Sequence, residues 1–192
     1  PLSPQAADSL RSRNIDPERA PVRQLPDPRH PVWDTLRWHR PGKERAWITP
    51  YHARNYPLIT FATDHTGAPR LPQLLAIPSR EKSKLFPAAS SHGLIFATPA
   101  LRRWLASPQA TPPATLYIAE GMSDYLRAAT LRPHVFGVFS GSQQAIANIP
   151  WPPQATVYDL TDDDRAGYGY ALHLARALAP NVPLKIRWSR HG

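Results

Sequence analysis

Apolar residues in the second half of the chain form short runs that alternate between two patterns. Runs of β-branched and apolar residues are typical of buried strands, whereas Ala- and Leu-rich segments with helical spacing are typical of helices. Strands that alternate with helices predict a parallel sheet with right-handed crossovers. We expect strands at residues 115–119, 135–139, 155–160 and 184–188, and helices at 123–131 (capped by Ser123), 143–148 and 165–179.

The first half of the chain has shorter apolar runs that are interrupted by proline and charged residues. Two strands joined by a turn predict an antiparallel hairpin, and a polar loop then leads to a further strand. This half is therefore expected to be a smaller α+β subdomain, and the whole chain an α/β protein. We expect helices at 4–13 and 99–107, strands at 57–63, 71–77 and 92–97, a loop at 79–87, and a subdomain boundary between residues 110 and 111.

Acidic residues follow two of the expected parallel strands. Glu120 and Asp124 come after the first strand, and Asp162, Asp163 and Asp164 come after the third. The carboxyl ends of parallel strands lie at one edge of a sheet, so these groups can converge although about forty residues separate them. Clustered carboxylates repel one another unless a cation intervenes, which predicts a divalent metal site. The alternative is an acidic helix N-terminus, in which an aspartate caps the helix, and the acidic turn (residues 162–164) taken alone favours this alternative.

Charge is distributed unevenly between the two halves. The 192 residues carry a net charge of +9. Residues 1–110 contain 16 Lys and Arg against 8 Asp and Glu, and residues 111–192 contain 7 against 6. A basic half beside a nearly neutral half with clustered acids indicates a surface for a polyanion next to a metal site. The alternative is a general bias towards arginine in the composition, and we favour nucleic acid.

Several classes of site and of protein are excluded by what the chain lacks. It contains no cysteine, which excludes disulfides, thiolate zinc sites and a cysteine nucleophile. It has no apolar run long enough to span a bilayer and no signal peptide, so a cytoplasmic location without a membrane partner is expected. Because the first residue is Pro1, we expect the chain to be a piece of a longer protein.

The two acidic segments together resemble the Toprim domain, which combines Glu-Gly after one strand with Asp-x-Asp-x-Ala-Gly after another. Toprim domains occur in bacterial-type primases, in type IA and II topoisomerases, in OLD-type nucleases and in some small ribonucleases. The resemblance implies a Toprim-like parallel sheet flanked by helices, and Mg²⁺ or Mn²⁺ as cofactor. It implies that Asp162 and Asp164 are metal ligands and that Glu120 is a ligand or the acid/base group. Asp124 would support the metal shell, and Asp163 falls at the variable middle position.

The basic first half resembles the amino-terminal subdomain of the polymerase core of bacterial, phage and plasmid DNA primases. In that subdomain a lysine of a Lys-x-x-x-x-Pro segment belongs to the basic face that meets template and nucleotide. Lys82 with Pro87 has this spacing, Lys84 is the alternate, and Arg80 lies beside them. The alternative for each lysine is a solvated charged loop.

The resemblance to primases implies synthesis of RNA primers on single-stranded DNA from nucleoside triphosphates, with a replicative helicase as a potential partner. Residues 1–110 would then form the basic subdomain and residues 111–192 the Toprim-like domain. Two other functions stay open, namely a metal-dependent Toprim nuclease and a nucleic-acid-binding module without catalysis. A topoisomerase would need a nucleophilic tyrosine in a separate domain, which the sequence does not identify.

Overall fold

The computed structural model of the protein describes residues 1–25, 37–40, 43–47, 57–75, 85–87, 93–107, 109, 111–139, 143–178 and 182–189. The helices within these residues are α1 (Pro4–Arg11), α2 (Pro99–Ala106), α3 (Gly121–Leu131), α4 (Gln143–Ala147) and α5 (Arg165–Leu178). The strands are β1 (Arg23–Gln24), β2 (Arg37–Arg40), β3 (Lys43–Trp47), β4 (Leu58–Thr63), β5 (Pro69–Leu75), β6 (Leu85–Pro87), β7 (Ile95–Ala97), β8 (Thr115–Glu120), β9 (Val135–Val138), β10 (Thr156–Asp162) and β11 (Leu184–Ser189).

One mixed sheet organises the described residues. Its strands follow the order β11-β10-β8-β9-β7-β4-β5-β6, and β1 pairs with β4 off this path. Strands β8 to β11 are mutually parallel, while β7 pairs antiparallel with β9 and carries the sheet into the first half of the chain. Strands β2 and β3 form a separate two-stranded sheet. The expected α/β class is confirmed, and the expected parallel strands form one part of this mixed sheet.

Helices cover both faces of the sheet and create two apolar clusters. On one face α1 and α3 contribute Leu10, Tyr125 and Leu126, which pack with Phe96 of β7. On the other face α2, α4 and α5 pack against β8, β9 and β10. Strand β9 lies between these layers and is buried throughout. A strand covered on both faces is expected to read as a continuous apolar run, as this one does.

Several elements differ from the sequence-based expectations at their ends. Helix α3 begins at Gly121, with Glu120 at its N-cap position, so Ser123 lies inside the helix and does not cap it. Gly121 has a φ of +71°, a left-handed conformation that glycine adopts at little cost and that lets the chain turn directly after Glu120. Strand β10 runs on to Asp162, which places this aspartate at the end of the strand itself.

Four short strands were not expected from the sequence. Strands β1, β2 and β3 are rich in charged residues, and β6 lies inside the segment expected to be a loop. The hairpin of β4 and β5, in contrast, has the expected turn, in which Asp64 accepts hydrogen bonds from the backbone N–H groups of Thr66 and Ala68 at 2.9 and 3.2 Å. Edge pairing thus adds β1 and β6 to the expected hairpin, whereas β2 and β3 pair with each other.

The sheet is continuous across the expected subdomain boundary. Strand β7 precedes residue 110 and β9 follows it, and the two pair through three residues each. Because one sheet includes strands from both sides of residue 110, the strand pairing does not mark a boundary there, and the division into 1–110 and 111–192 remains a prediction. No helix in the described part of the chain is long and apolar enough to cross a membrane.

Candidate active site at the carboxyl edge of the sheet

Strands β8 and β10 are adjacent and parallel, and both end in a carboxylate. Their register pairs Ala119 with Leu160, so the next residues, Glu120 and Thr161, come level at the carboxyl edge. Thr161 Oγ1 donates a hydrogen bond to Glu120 Oε2 at 3.5 Å. Two segments that are distant in sequence therefore meet at the edge where parallel sheets place their ligands.

Glu120 lies within the electrostatic field of the other acidic residues. Burial raises the pKa of the Glu120 carboxyl, and the negative charges of Asp162, Asp164 and Asp124 raise it further, whereas the hydrogen bond with Thr161 lowers it. The structure thus brings four of the five expected carboxylates, all except Asp163, into one neighbourhood. A half-buried carboxyl with a raised pKa is suited to exchange a proton.

Asp164 serves as the cap of helix α5. The backbone N–H of Gly167 donates to Asp164 Oδ1 at 2.8 Å, the geometry of an N-cap aspartate. The alternative role considered for the acidic turn is therefore present at this residue. A cap of this kind also fixes the orientation of the carboxylate, so it is compatible with a second role for the same side chain.

Asp124 and Asp163 also have partners of their own. Asp124 lies in the first turn of α3 and forms an ion pair with Arg127 at 3.5 Å. Asp163 is exposed, and Tyr168 Oη donates to Asp163 Oδ1 at 3.5 Å. Neither contact joins these side chains to the Glu120–Thr161 pair.

Asp159 is a further acidic residue of this site that sequence reasoning missed. Its side chain is 2% exposed, and Oδ2 has no hydrogen-bond partner among the residues that the structure describes. Burial, together with the charge of Glu120, raises the pKa of Asp159 to about 7. The sequence feature that could have identified Asp159 is the alternation along β10, in which Val157, Asp159 and Thr161 lie on the buried side of the strand. This alternation places the carboxyl of Asp159, a polar group, among buried side chains.

Gly167 allows helix α5 to approach strand β10 closely. A Cβ atom at this position would lie 2.0 Å from the carbonyl oxygen of Asp162 and 2.7 Å from Thr161 Oγ1. Only glycine fits without a shift of the backbone. This packing holds the cap residue Asp164 directly beside the end of the strand.

The donor set suits a divalent cation that keeps most of its water. Magnesium is usually bound by one or two carboxylates together with substrate phosphates and several waters. Among the described residues, no group of three His, Cys, Asp or Glu side chains is arranged to enclose an ion. The mutual repulsion at Glu120 nevertheless favours a cation here, since a positive charge would offset it. An open site with few protein ligands therefore fits these residues, and a closed one does not.

The predicted nucleotide-binding residues Arg80, Lys82 and Lys84 lie outside the described residues. Their role stays a prediction.

Solved structures with a similar fold are DNA primase cores. The primase of Aquifex aeolicus (zinc-binding and RNA polymerase domains) matches with a TM-score of 0.58 and 14% identity over 99% of this chain and 51% of that chain. The DnaG catalytic core matches with a TM-score of 0.56 and 13% identity over 100% and 67%. A DNA primase domain from Pseudomonas aeruginosa matches with a TM-score of 0.59 and 12% identity over 97% and 64%.

The resemblance to the primase core is thereby confirmed for the fold. The chain spans between 51% and 67% of the length of these structures. No protein-family model and no curated protein sequence matches it.

Proposed function

We propose that this chain is the catalytic core of a DNA-directed RNA primer synthase. The observation that carries the proposal is the meeting of Glu120, Asp162 and Asp164 at the carboxyl edge of a sheet with the primase-core fold. Single-stranded DNA would be the template and nucleoside triphosphates the substrates, and the chain would act within a larger replication protein. A replicative helicase is the partner that such an activity would need nearby.

In this function Asp162 and Asp164 would hold Mg²⁺ or Mn²⁺. The ion would orient the phosphates of the substrate and offset the charge that develops during transfer. Asp164 is already oriented by its hydrogen bond with Gly167, so its carboxylate needs no further ordering. The Asp124–Arg127 pair would act from outside this group of ligands.

Glu120 would accept the proton in the transfer step. The 3′-oxygen of the growing primer forms a bond to the α-phosphorus, the bond from that phosphorus to pyrophosphate breaks, and the hydroxyl proton passes to Glu120. Burial, the largest cause of its raised pKa, makes Glu120 a better base than an ordinary carboxylate. Arg80, Lys82 and Lys84 would bind the template or the triphosphate from the basic half.

The direct test is an incubation of the protein with single-stranded template, labelled ribonucleoside triphosphates and either magnesium or manganese. We expect short oligoribonucleotides that depend on both template and metal. The Asp162→Asn protein should make them more slowly by several orders of magnitude, because charge stabilisation at the transferred phosphate is lost.

The same incubation separates primer synthesis from the other two functions. Degradation of the template with metal alone would identify a nuclease. Binding of the template without synthesis or cleavage would identify a non-catalytic module, which is the second candidate. That candidate is favoured by the capping role of Asp164 and by the lack of an enclosed metal cluster among the described residues.

A further inference from the structure

Two different strands pair with the same edge of strand β4, and a gap remains between them. On this edge β1 pairs with Leu58 and Ile59, and β7 pairs with Thr63. Thr60 Oγ1 donates to the carbonyl oxygen of Pro21 at 2.9 Å, which holds the segment before β1 beside the gap. We call this gap, bounded by β1, β4 and β7, the β4 notch.

The β4 notch opens into a cavity of about 410 Å³, and most of the charged residues that line it are basic. Arg19 and Arg23 line it from the first segment of the chain, and Arg102 lines it from α2. Glu18 is its one acidic neighbour within the described residues. Three guanidinium groups around one concave surface provide a strongly positive potential, since a single carboxylate offsets only part of their charge.

The arginines of the β4 notch are available to a ligand. The ion pairs within the described residues use Arg11, Arg70 and Arg127, and these arginines do not line the cavity. Arg19 and Arg23 are exposed, and Arg102 is half-buried. Guanidinium groups present planar pairs of donors that match phosphate oxygens.

Two aromatic side chains complete the wall. Phe61 is 40% exposed although it lies within β4, and Tyr125 of α3 is 1% exposed. Burial raises the pKa of the Tyr125 phenol, and the neighbouring guanidinium of Arg102 opposes that rise, which places this charge close to the ring. An exposed ring beside arginines offers a stacking surface for a nucleobase.

We propose that the β4 notch binds a nucleoside polyphosphate, with its phosphates against Arg19, Arg23 and Arg102 and its base against Phe61. The cavity volume lies in the range of sites for small molecules and cofactors. A larger polyanion would need a groove that continues beyond the notch, whereas three arginines around one concave wall suit a compact chain of phosphates.

This site is separate from the acidic cluster, by which we mean Glu120, Asp162 and Asp164 at the carboxyl edge of the sheet. The wall of the notch contains neither Glu120 nor any aspartate of the acidic turn. Strand β7, which borders the notch, is two strand spacings away from β8, or about 10 Å. The proposal therefore goes beyond the proposed catalytic function and does not depend on it.

Titration calorimetry with ATP in the presence of EDTA tests the site, because chelation removes the metal-dependent contribution of the acidic cluster. We expect the wild-type protein to bind ATP, and Arg23→Gln and Arg102→Gln each to weaken binding by about tenfold, the loss of one charged hydrogen-bonding contact. Phe61→Ala should weaken ATP by about fivefold or more through lost stacking, and leave inorganic tripolyphosphate unaffected.

Two control variants make the result specific. Arg103→Gln removes the same charge from the next residue of α2, which does not line the cavity, and should leave ATP binding within about twofold of wild type. Asp162→Asn should likewise retain ATP binding in EDTA, even if it makes no primers. Thermal melts establish that each variant is folded, and Arg23→Gln tests the site from a second element if Arg102→Gln is unstable.

The proposal is overturned if the wild-type protein fails to bind ATP at millimolar concentration. It is also overturned if Arg103→Gln weakens binding as much as Arg23→Gln, since the attraction would then be general charge. Equal affinities for tripolyphosphate and ATP would show that the site binds the phosphates without recognising the nucleoside. Failure of primer synthesis with intact notch binding would contradict only the proposed catalytic function.

Discussion

The acidic residues near the end of β10 have different environments although they are close in sequence. Asp164 accepts the capping bond of α5, Asp162 contributes to the raised pKa of Glu120, and Asp159 is buried with an unpartnered oxygen within the described structure. Their contributions to folding and to chemistry are therefore separable by single substitutions.

Replacing Asp162 with asparagine should raise, or at least not lower, the free energy of unfolding without metal. The change removes a like charge that acts on Glu120. The same change should abolish the stabilisation that manganese provides by binding only the folded state. Thermal melts with and without manganese measure both effects. A manganese-induced shift as large as that of the wild type would contradict the metal role of Asp162.

Two substitutions of Asp164 serve as a matched control for that experiment. Asp164→Asn keeps a good N-cap and should change metal-free stability little, whereas Asp164→Ala should lose about 1 kcal/mol with the cap. Both substitutions should reduce the stabilisation that manganese provides in thermal melts. If Asp164→Asn responds to manganese like the wild type, this aspartate is only a cap.

The buried carboxyl of Asp159 should make stability depend on pH. Its pKa is raised to about 7 in the folded state, against roughly 4 in the unfolded chain, so the folded state binds more protons between these values. The free energy of unfolding should therefore fall as pH rises from about 4 to about 7, and then level off. The raised pKa of Glu120 acts in the same direction.

Asp159→Asn imitates the protonated carboxyl and should remove much of this decline. The variant should exceed the wild type in stability above pH 7 by at most about 4 kcal/mol, since one pKa unit corresponds to about 1.4 kcal/mol. Urea unfolding at intervals from pH 5 to pH 8, roughly the range over which such a carboxyl titrates, measures the slope. Asp163→Asn, at the exposed position directly after the same strand, is the control. Equal slopes for Asp159→Asn and wild type would show that this carboxyl does not control the effect.

Lys82 and Lys84 should contribute more to synthesis than to folding. Both belong to a polar segment, where surface substitutions usually change stability by less than about 0.5 kcal/mol. Replacing both with alanine should leave the melting temperature nearly unchanged and lower primer synthesis or nucleotide binding. Unchanged activity in parallel assays would support the alternative interpretation, in which these lysines belong to a solvated charged loop.

At the scale of elements, the contact between α5 and β10 positions the acidic turn. Gly167→Ala should destabilise the fold by about 3 kcal/mol or more, because its Cβ would lie 2.0 Å from the carbonyl oxygen of Asp162. Gly169→Ala, two residues along the same helix, has no atom within 4 Å of its Cβ and should gain about 0.5–1 kcal/mol. Chemical denaturation of both variants measures the difference. Similar changes in the two variants would contradict the close approach.

At the scale of the whole molecule, one sheet joins a basic half to the edge that carries the acids. The net positive charge of residues 1–110 leads us to expect that this half contacts a nucleic-acid strand. A ligand bound in the β4 notch would lie between the first segment of the chain and α2. Within the described residues, the arginines of the β4 notch and the acids at the carboxyl edge thus belong to elements joined by one sheet.

Binding of single-stranded DNA should weaken steeply as salt rises. If about six basic residues contact phosphates, affinity should fall by about a hundredfold or more between ~50 and ~200 mM salt, because released counterions supply much of the free energy. Fluorescence anisotropy with a labelled oligonucleotide measures the slope. An affinity that is flat across this range would contradict an electrostatic contact surface.

The local patterns of this sequence determined the alternating strands and helices of the second half and the Glu-Gly and Asp-rich ends of two strands. Such features depend on residues close together in the chain, where the periods of two and of 3.6 residues and the turn preferences of glycine and aspartate operate. The resemblance to the Toprim domain followed from these same segments. The resemblance to the primase core also used the hairpin and the Lys-x-x-x-x-Pro segment of the first half, and the fold confirmed it.

Other features were decided only by the tertiary structure. The short charged strands β1, β2 and β3 have no apolar alternation and depend on pairing with neighbours. The burial of Asp159, which raises its pKa, depends on helices that cover its side of β10. The β4 notch combines Arg23 with Arg102, which lie far apart in the chain. Contacts between distant segments leave no local pattern in a sequence, because they arise only when the sheet assembles.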